Sequence, residues 1–153
     1  MDEALFYKII DELKSVSYDG YLNLYVNNEP FMDKRIEDWY RYAKENLPNA
    51  KMLLYTNGLL LTPERIDKVA PYIDKMIINN YSEELQLQPN IKQLYDHIKN
   101  YLEYQDMDIT IQIRYINEIL SNRAGYAPNK GKSKEIHWNC IMPYTLYGCY
   151  YIS

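Results

Sequence analysis

The chain has 153 residues, 47% of them apolar and 25% charged, with a formal net charge of −4. That length suits one domain with a moderate core, the composition excludes a disordered chain, and an acidic balance without a basic patch argues against a nucleic-acid partner. The longest apolar runs, Met52 to Tyr55 and Gly58 to Leu61, fall far short of the roughly 20 residues that span a bilayer. No membrane association is expected, and because the start MDEALFYKII is acidic rather than signal-like, the expected location is cytoplasmic.

Asp2 to Val16 places Leu5, Phe6, Ile9, Ile10, Leu13 and Val16 at helical spacing, with Asp11, Glu12 and Lys14 outside. Ser17, Asp19 and Gly20 make a turn into an expected strand, Tyr21 to Val26, which ends in the polar run Asn27, Asn28, Glu29, Pro30. A second helix, capped near Asp33 and reaching Asn46, buries Ile36, Trp39, Tyr40 and Ala43. A strand from Lys51 to Tyr55 follows and ends in Thr56, Asn57 and Gly58. Thr62 with Pro63 is an N-cap with proline at the first helical position, opening a short helix with Ile66, Val69 and Ala70. Met76 to Asn79 reads as a third strand. Pro89 and Asn90 open the longest helix, ending near Gln105, with Ile91, Leu94, Tyr95, Ile98 and Leu102 on one face. Asp108 to Ile116 alternates cleanly, Ile109, Ile111, Ile113 and Tyr115 against Thr110, Gln112, Arg114 and Ile116. Beyond Ser121 the chain turns polar and then aperiodic.

Helix and strand thus alternate through four strands, which predicts an α/β fold with a parallel sheet and outer helices. The polar strand ends share one rim, where such folds keep their ligands. Four strands are about half of an eight-stranded barrel, so the sheet is open and its edges need covering by the tail, a partner chain or further sequence.

The rim residues resemble those of radical S-adenosylmethionine (SAM) enzymes, a likeness that covers about residues 2 to 145. In that family one strand ends in a Gly-Gly-Glu-Pro turn holding the amino group of SAM. Here Asn27, Asn28, Glu29 and Pro30 stand in that place, with both glycines replaced. Thr56, Asn57 and Gly58, followed by three leucines, match a Thr-Asn-Gly strand end of the family. Asn122, Arg123, Ala124 and Gly125, then Cys140, Met142 and Pro143, resemble the junction into a SPASM-type extension.

The resemblance implies a partial TIM-type barrel of four or five parallel strands over residues 1 to 120. Residues 121 to 153 would form an irregular tail that begins the extension. It implies SAM as cofactor, with Glu29 on the ammonium, Arg114 on the carboxylate and Cys140 as a cluster ligand. Asparagine is the residue that best imitates glycine at positive φ, so the turn survives the two substitutions. The bland reading of Glu29 is a turn carboxylate facing water.

One departure limits the likeness. The family's [4Fe-4S] cluster is held by three cysteines in a CxxxCxxC loop, and the only thiols here are Cys140 and Cys149. A cluster is therefore expected in full-length relatives and not from these residues alone, and no reductive cleavage of SAM is expected of them. The alternative function is a non-catalytic binding or assembly module, a homo-oligomer or a complex formed across the open sheet edges. His97 and His137 lack partners at metal-ligand spacing and read as surface and tail residues.

Overall fold

A computed structural model describes residues 1–25, 28–100 and 107–114, together with the backbone of 133–137. Asp2 caps helix α1, Glu3–Ser15, by accepting hydrogen bonds from Ala4 N and Leu5 N at 2.9 and 3.2 Å. Its buried stripe is narrower than its sequence pattern: Phe6 and Ile10 are buried, while Leu5 and Val16 are exposed. The inner end of the stripe meets helix α2, Ile36–Asn46, where the Phe6 ring stacks on Trp39 at 4.4 Å.

Strand β1 is shorter than expected. It pairs only over Tyr21–Asn23, and Val26 lies outside the described residues. At the last pair, Asn23 with Leu53, the buried Tyr40 hydroxyl donates to Leu53 O at 2.6 Å, so a side chain has joined the ladder where it stops. The second helix also starts later than expected, at Ile36. Asp33 is drawn instead into accepting from Arg35 N and Nε, both at 2.9 Å, and the Arg35 guanidinium holds its carboxyl down at about 2. All four residues expected to line this helix, Ile36, Trp39, Tyr40 and Ala43, are buried.

Strand β2, Lys51–Thr56, is followed by α3, Pro63–Val69, whose Thr62 cap accepts from Arg65 N as the sequence implies. Strand β3, Lys75–Tyr81, is longer at both ends than its apolar run. Helix α4, Pro89–Asn100, buries Ile91, Leu94 and Ile98, and β4 runs from Asp108 to Arg114.

The sheet order is β1-β2-β3-β4, with every pair parallel. Sequential order belongs to a singly wound barrel segment, whereas a doubly wound sheet reverses direction in mid-sheet. Register carries the same point to the side chains. Met52 and Leu54, Met76 and Ile78, Ile109 and Ile111 share one face and form one core with the helices. The fold is thus the α/β half-barrel expected, with four parallel strands.

The tail requires a correction. Ser133–His137 is strand β5, paired antiparallel to β4, so this part is not irregular. An edge strand offers a row of unpaired backbone groups that any extended segment can meet, so pairing here did not require side-chain periodicity in SKEIH. Tyr115, Ile116, Cys140 and Cys149 lie outside the described residues. Among those described, no helix is long and apolar enough to cross a membrane.

Under the sheet, Asp74 ties three elements together. Its Oδ2 accepts from Lys44 Nζ of α2 and from Met52 N of β2, each at 2.8 Å, and Lys51 Nζ stands 3.6 Å from Oδ1. Burial works to raise its pKa, but the lysines and the amide outweigh it and hold the carboxyl below its ordinary value of 3.8. Asp74 therefore binds a proton more weakly in the folded chain than in the unfolded one. Its contribution to stability is complete above the ordinary value and is lost as pH falls through the depressed one. Asp74→Asn should cost about 1 kcal/mol at pH 7 and flatten the loss of stability below about pH 4, as read by urea unfolding at a series of pH values.

Candidate functional site

All four parallel strands end on one rim, and the carboxylate of Glu29 joins the first two. Glu29 Oε1 accepts from Thr56 Oγ1 at 2.6 Å and from Phe31 N at 3.3 Å, while Oε2 accepts from Asn57 N at 2.8 Å. The Phe31 contact caps a short 3₁₀ turn, Pro30–Met32, so the glutamate both starts that turn and pins it to the end of β2. Pro30 is buried at the first position of the turn, and Asn28 is exposed beside it. Asn27 lies outside the described residues.

The Thr-Asn-Gly end of β2 is bonded within itself. Thr56 Oγ1, which gives its proton to Glu29, accepts from Gly58 N at 2.9 Å, and Asn57 Oδ1 accepts from Leu59 N at 2.9 Å. Gly58 has φ +71°, and a Cβ there would collide with Ile91 Cδ1 and stand 2.9 Å from Ile78 Cγ2. Glycine is needed at this position twice over, for its backbone and for its lack of a side chain. Asn90, at the start of α4, donates from Nδ2 to Gly58 O at 3.0 Å.

Arg65 braces the two rim loops from the helix side. Its Nε donates to Glu37 Oε1 at 2.5 Å, its Nη1 to Phe31 O at 2.8 Å and to Leu60 O at 3.4 Å, and its guanidinium lies 4.7 Å over the Phe31 ring. Sequence gave no sign of this brace, because Glu37 and Arg65 sit in different helices.

Further along the rim, Arg114 Nε donates to Asn79 Oδ1 and to Gln112 Oε1, both at 3.1 Å. The neighbouring Asn80 is buried and faces the helices. Its Nδ2 donates to Gln86 O and its Oδ1 accepts from Gln88 N, each at 2.8 Å, which fixes the loop before α4. The polar end of β3 therefore does two jobs, one on each face. The sequence placed these asparagines correctly at a strand end without revealing either.

A groove of about 1160 Å³ opens at Glu29 and runs along the outer side of β1, lined by Phe6, Ile10, Leu22, Tyr25 and Trp39 among others. Tyr25 Oη and Trp39 Nε1 are buried without a hydrogen-bond partner among the described residues. Burial pushes the Tyr25 hydroxyl well above its ordinary range.

The rim thus brings Glu29, Thr56, Asn57 and Gly58 into one bonded unit, with Asn28 and Pro30 alongside. Arg114 stands two strands away, on β4. Among the described residues no group of three histidine, cysteine or acidic side chains could hold a metal ion, and Cys140 lies outside them. His97, expected at the surface, is only 14% exposed and turns against α3, its Nε2 2.7 Å from Asp67 Oδ1.

No protein-family model matches the chain. Over 147 residues, 95% of its length, the chain is 24% identical to the S-adenosyl-L-methionine-dependent 2-deoxy-scyllo-inosamine dehydrogenase of Niallia circulans. It is similar to a SAM-dependent dehydrogenase. The chain spans 56% of that relative's length. Among solved structures it matches BtrN in complex with AdoMet and 2-DOIA, with a TM-score of 0.63 and 22% identity, covering 82% of this chain and 49% of that one. A structure of BtrN in an open conformation matches at a TM-score of 0.50 and 29% identity, over 52% of this chain and 37% of the other. The half-barrel described above is the fold shared with BtrN.

Gly58→Ala should destabilise the chain by about 2 kcal/mol or more, the sum of a strained left-handed residue and an overpacked contact. Guanidinium unfolding measures it, and a loss below about 0.5 kcal/mol would show that Ile91 and the turn give way freely.

Proposed function

We propose that this chain is a radical SAM-like protein whose rim binds the aminoacyl end of S-adenosylmethionine. Glu29 would take the ammonium group, Asn27, Asn28, Pro30, Thr56, Asn57 and Gly58 would shape the pocket around it, and Arg114 would face the carboxylate. The observation that carries this reading is the state of the Glu29 carboxylate. A carboxylate has about four acceptor positions, and among the described residues three are used, two on Oε1 and one on Oε2. One position on Oε2 is left at the mouth of the groove, on a side chain already fixed in place by three donors. A charge-assisted bond to an ammonium is the strong contact such a fixed acceptor makes. Similarity to a SAM-dependent relative and to a structure solved with AdoMet supports the choice of ligand.

Binding is the extent of the activity assigned. A [4Fe-4S] cluster site takes three or four thiolates, and these 153 residues supply two, Cys140 and Cys149. The residues do not fit the cluster, and no cleavage of SAM is assigned to them.

Calorimetry with SAM tests the reading. Micromolar binding is expected, weakened about tenfold or more in Glu29→Gln, which keeps the shape of the side chain and removes its charge. Heat absent from the wild-type titration overturns it.

A second reading, assembly through the open sheet edge, is favoured by β1, which has no strand on its outer side among the described residues and borders the groove. Tyr21, 70% exposed on that strand, is the place to test it. A concentration-dependent dimer in sedimentation equilibrium, weakened by the edge charge of Tyr21→Lys, would support it, and a monomer at every concentration would remove it.

A further inference from the structure

We propose that Arg65, held by Glu37, is a positioning residue for SAM binding: it sets the spacing of the two rim loops so that the Glu29 carboxylate stands ready for the ammonium group. The proposal rests on the SAM reading above and extends it to two residues, neither of which lines the groove at Glu29.

The Glu29 carboxylate draws its donors from two loops, Phe31 N from its own and Thr56 Oγ1 and Asn57 N from the end of β2. Its position therefore depends on how far apart those loops stand. The pairing of β1 with β2 stops at Asn23 and Leu53, before either loop begins, so the ladder does not set that distance. Arg65 does. Its Nη1 donates to Phe31 O at 2.8 Å and to Leu60 O at 3.4 Å, one carbonyl from each loop.

Both contacts lead back to the carboxylate by short routes. Phe31 is buried; its N–H donates to Glu29, its carbonyl accepts from Arg65, and its ring lies 4.7 Å beneath the guanidinium. On the other loop, Leu61 N donates to Gly58 O at 3.3 Å, and Gly58 N donates to Thr56 Oγ1, the hydroxyl bonded to Glu29. The guanidinium itself is fixed from α2, where Glu37 Oε1 accepts from Arg65 Nε at 2.5 Å, and the Thr62 cap sets Arg65 in the first turn of α3. A planar fork reaches one carboxylate and two carbonyls at once, which the single ammonium of lysine does not. The pair is neutral overall, so the brace adds no net charge beside a carboxylate that takes a cation. A site whose acceptor is held in place beforehand loses less freedom on binding.

A double-mutant cycle read by calorimetry with SAM tests the assignment. Arg65→Gln should weaken SAM about fivefold in the wild-type chain and by less than about twofold in the Glu29→Gln background, because its effect passes through Glu29. Arg65→Lys should recover part of the loss. Asp74→Asn, a destabilising change under the sheet, should leave SAM affinity within about twofold of wild type. Should Arg65→Gln fail to fold, Glu37→Gln takes its place in the cycle, with a smaller loss and the same dependence on Glu29. A purely structural role predicts that Arg65→Gln weakens SAM equally in both backgrounds, or that Asp74→Asn weakens it as much. Either result, or full affinity in Arg65→Gln, overturns the positioning role while SAM binding stands. A wild-type chain that does not bind SAM overturns the SAM reading and this proposal together.

Discussion

The rim depends on one carboxylate. Strand β1 pairs for three residues and then leaves the ladder, so among the described residues no strand pairing carries on toward Glu29. Glu29 supplies the missing connection by reaching across to Thr56 and Asn57 and by starting the Pro30–Met32 turn. A charge taken partly out of water is costly unless donors surround it, and here three donors converge on it. The same bonds that satisfy the charge align two loops from different βα units. Arg65 does the matching work below, holding Phe31 and Leu60 from opposite loops with one guanidinium. A ligand meeting this rim would find its contact atoms already in place, which is the condition under which a few polar groups yield useful affinity.

Polar residues divide between the two faces of the sheet according to parity. Thr56 and Asn80, on the helix side, are buried, Asn80 bonded to backbone at both ends of its amide and Thr56 shared between Gly58 N and the Glu29 carboxylate. Asn79, Gln112 and Arg114, on the other side, bond among themselves as side chains. Adjacent asparagines in β3 thus serve loop anchoring and cation orientation, and a shift of register by one residue would exchange those roles.

Much of this was legible in the sequence because it rests on local rules. The helix cap at Thr62, the apolar stripe of α2, the burial of Ile91, Leu94 and Ile98 in α4 and the strand Asp108–Arg114 each depend on neighbours within a few positions, and each stands as read. The rim residues Glu29, Thr56, Asn57 and Gly58 were picked out, and they meet. What sequence could not show was pairing at a distance. The end of β1 at Asn23 reflects Tyr40 reaching Leu53, the late start of α2 reflects Arg35 folding onto Asp33, and β5 exists because β4 had an unpaired edge. The Glu37–Arg65 and Asn79–Arg114 contacts are likewise matters of packing between elements that no periodicity encodes.

Sequential strand order also bears on how the chain acquires its shape. Each parallel strand pairs with the one synthesised just before it, so every pairing closes a loop of roughly 20 to 35 residues, one helix and its turns, and none requires the two ends of the chain to meet. On a ribosome such a sheet can add one β/α unit at a time as it emerges. The rim would then be set early, since the bonds that join Glu29 to Thr56 and Asn57 need nothing beyond the first two strands. Gly58 would wait for Asn90 and Ile91, and the half of the rim that carries Arg114 would arrive last.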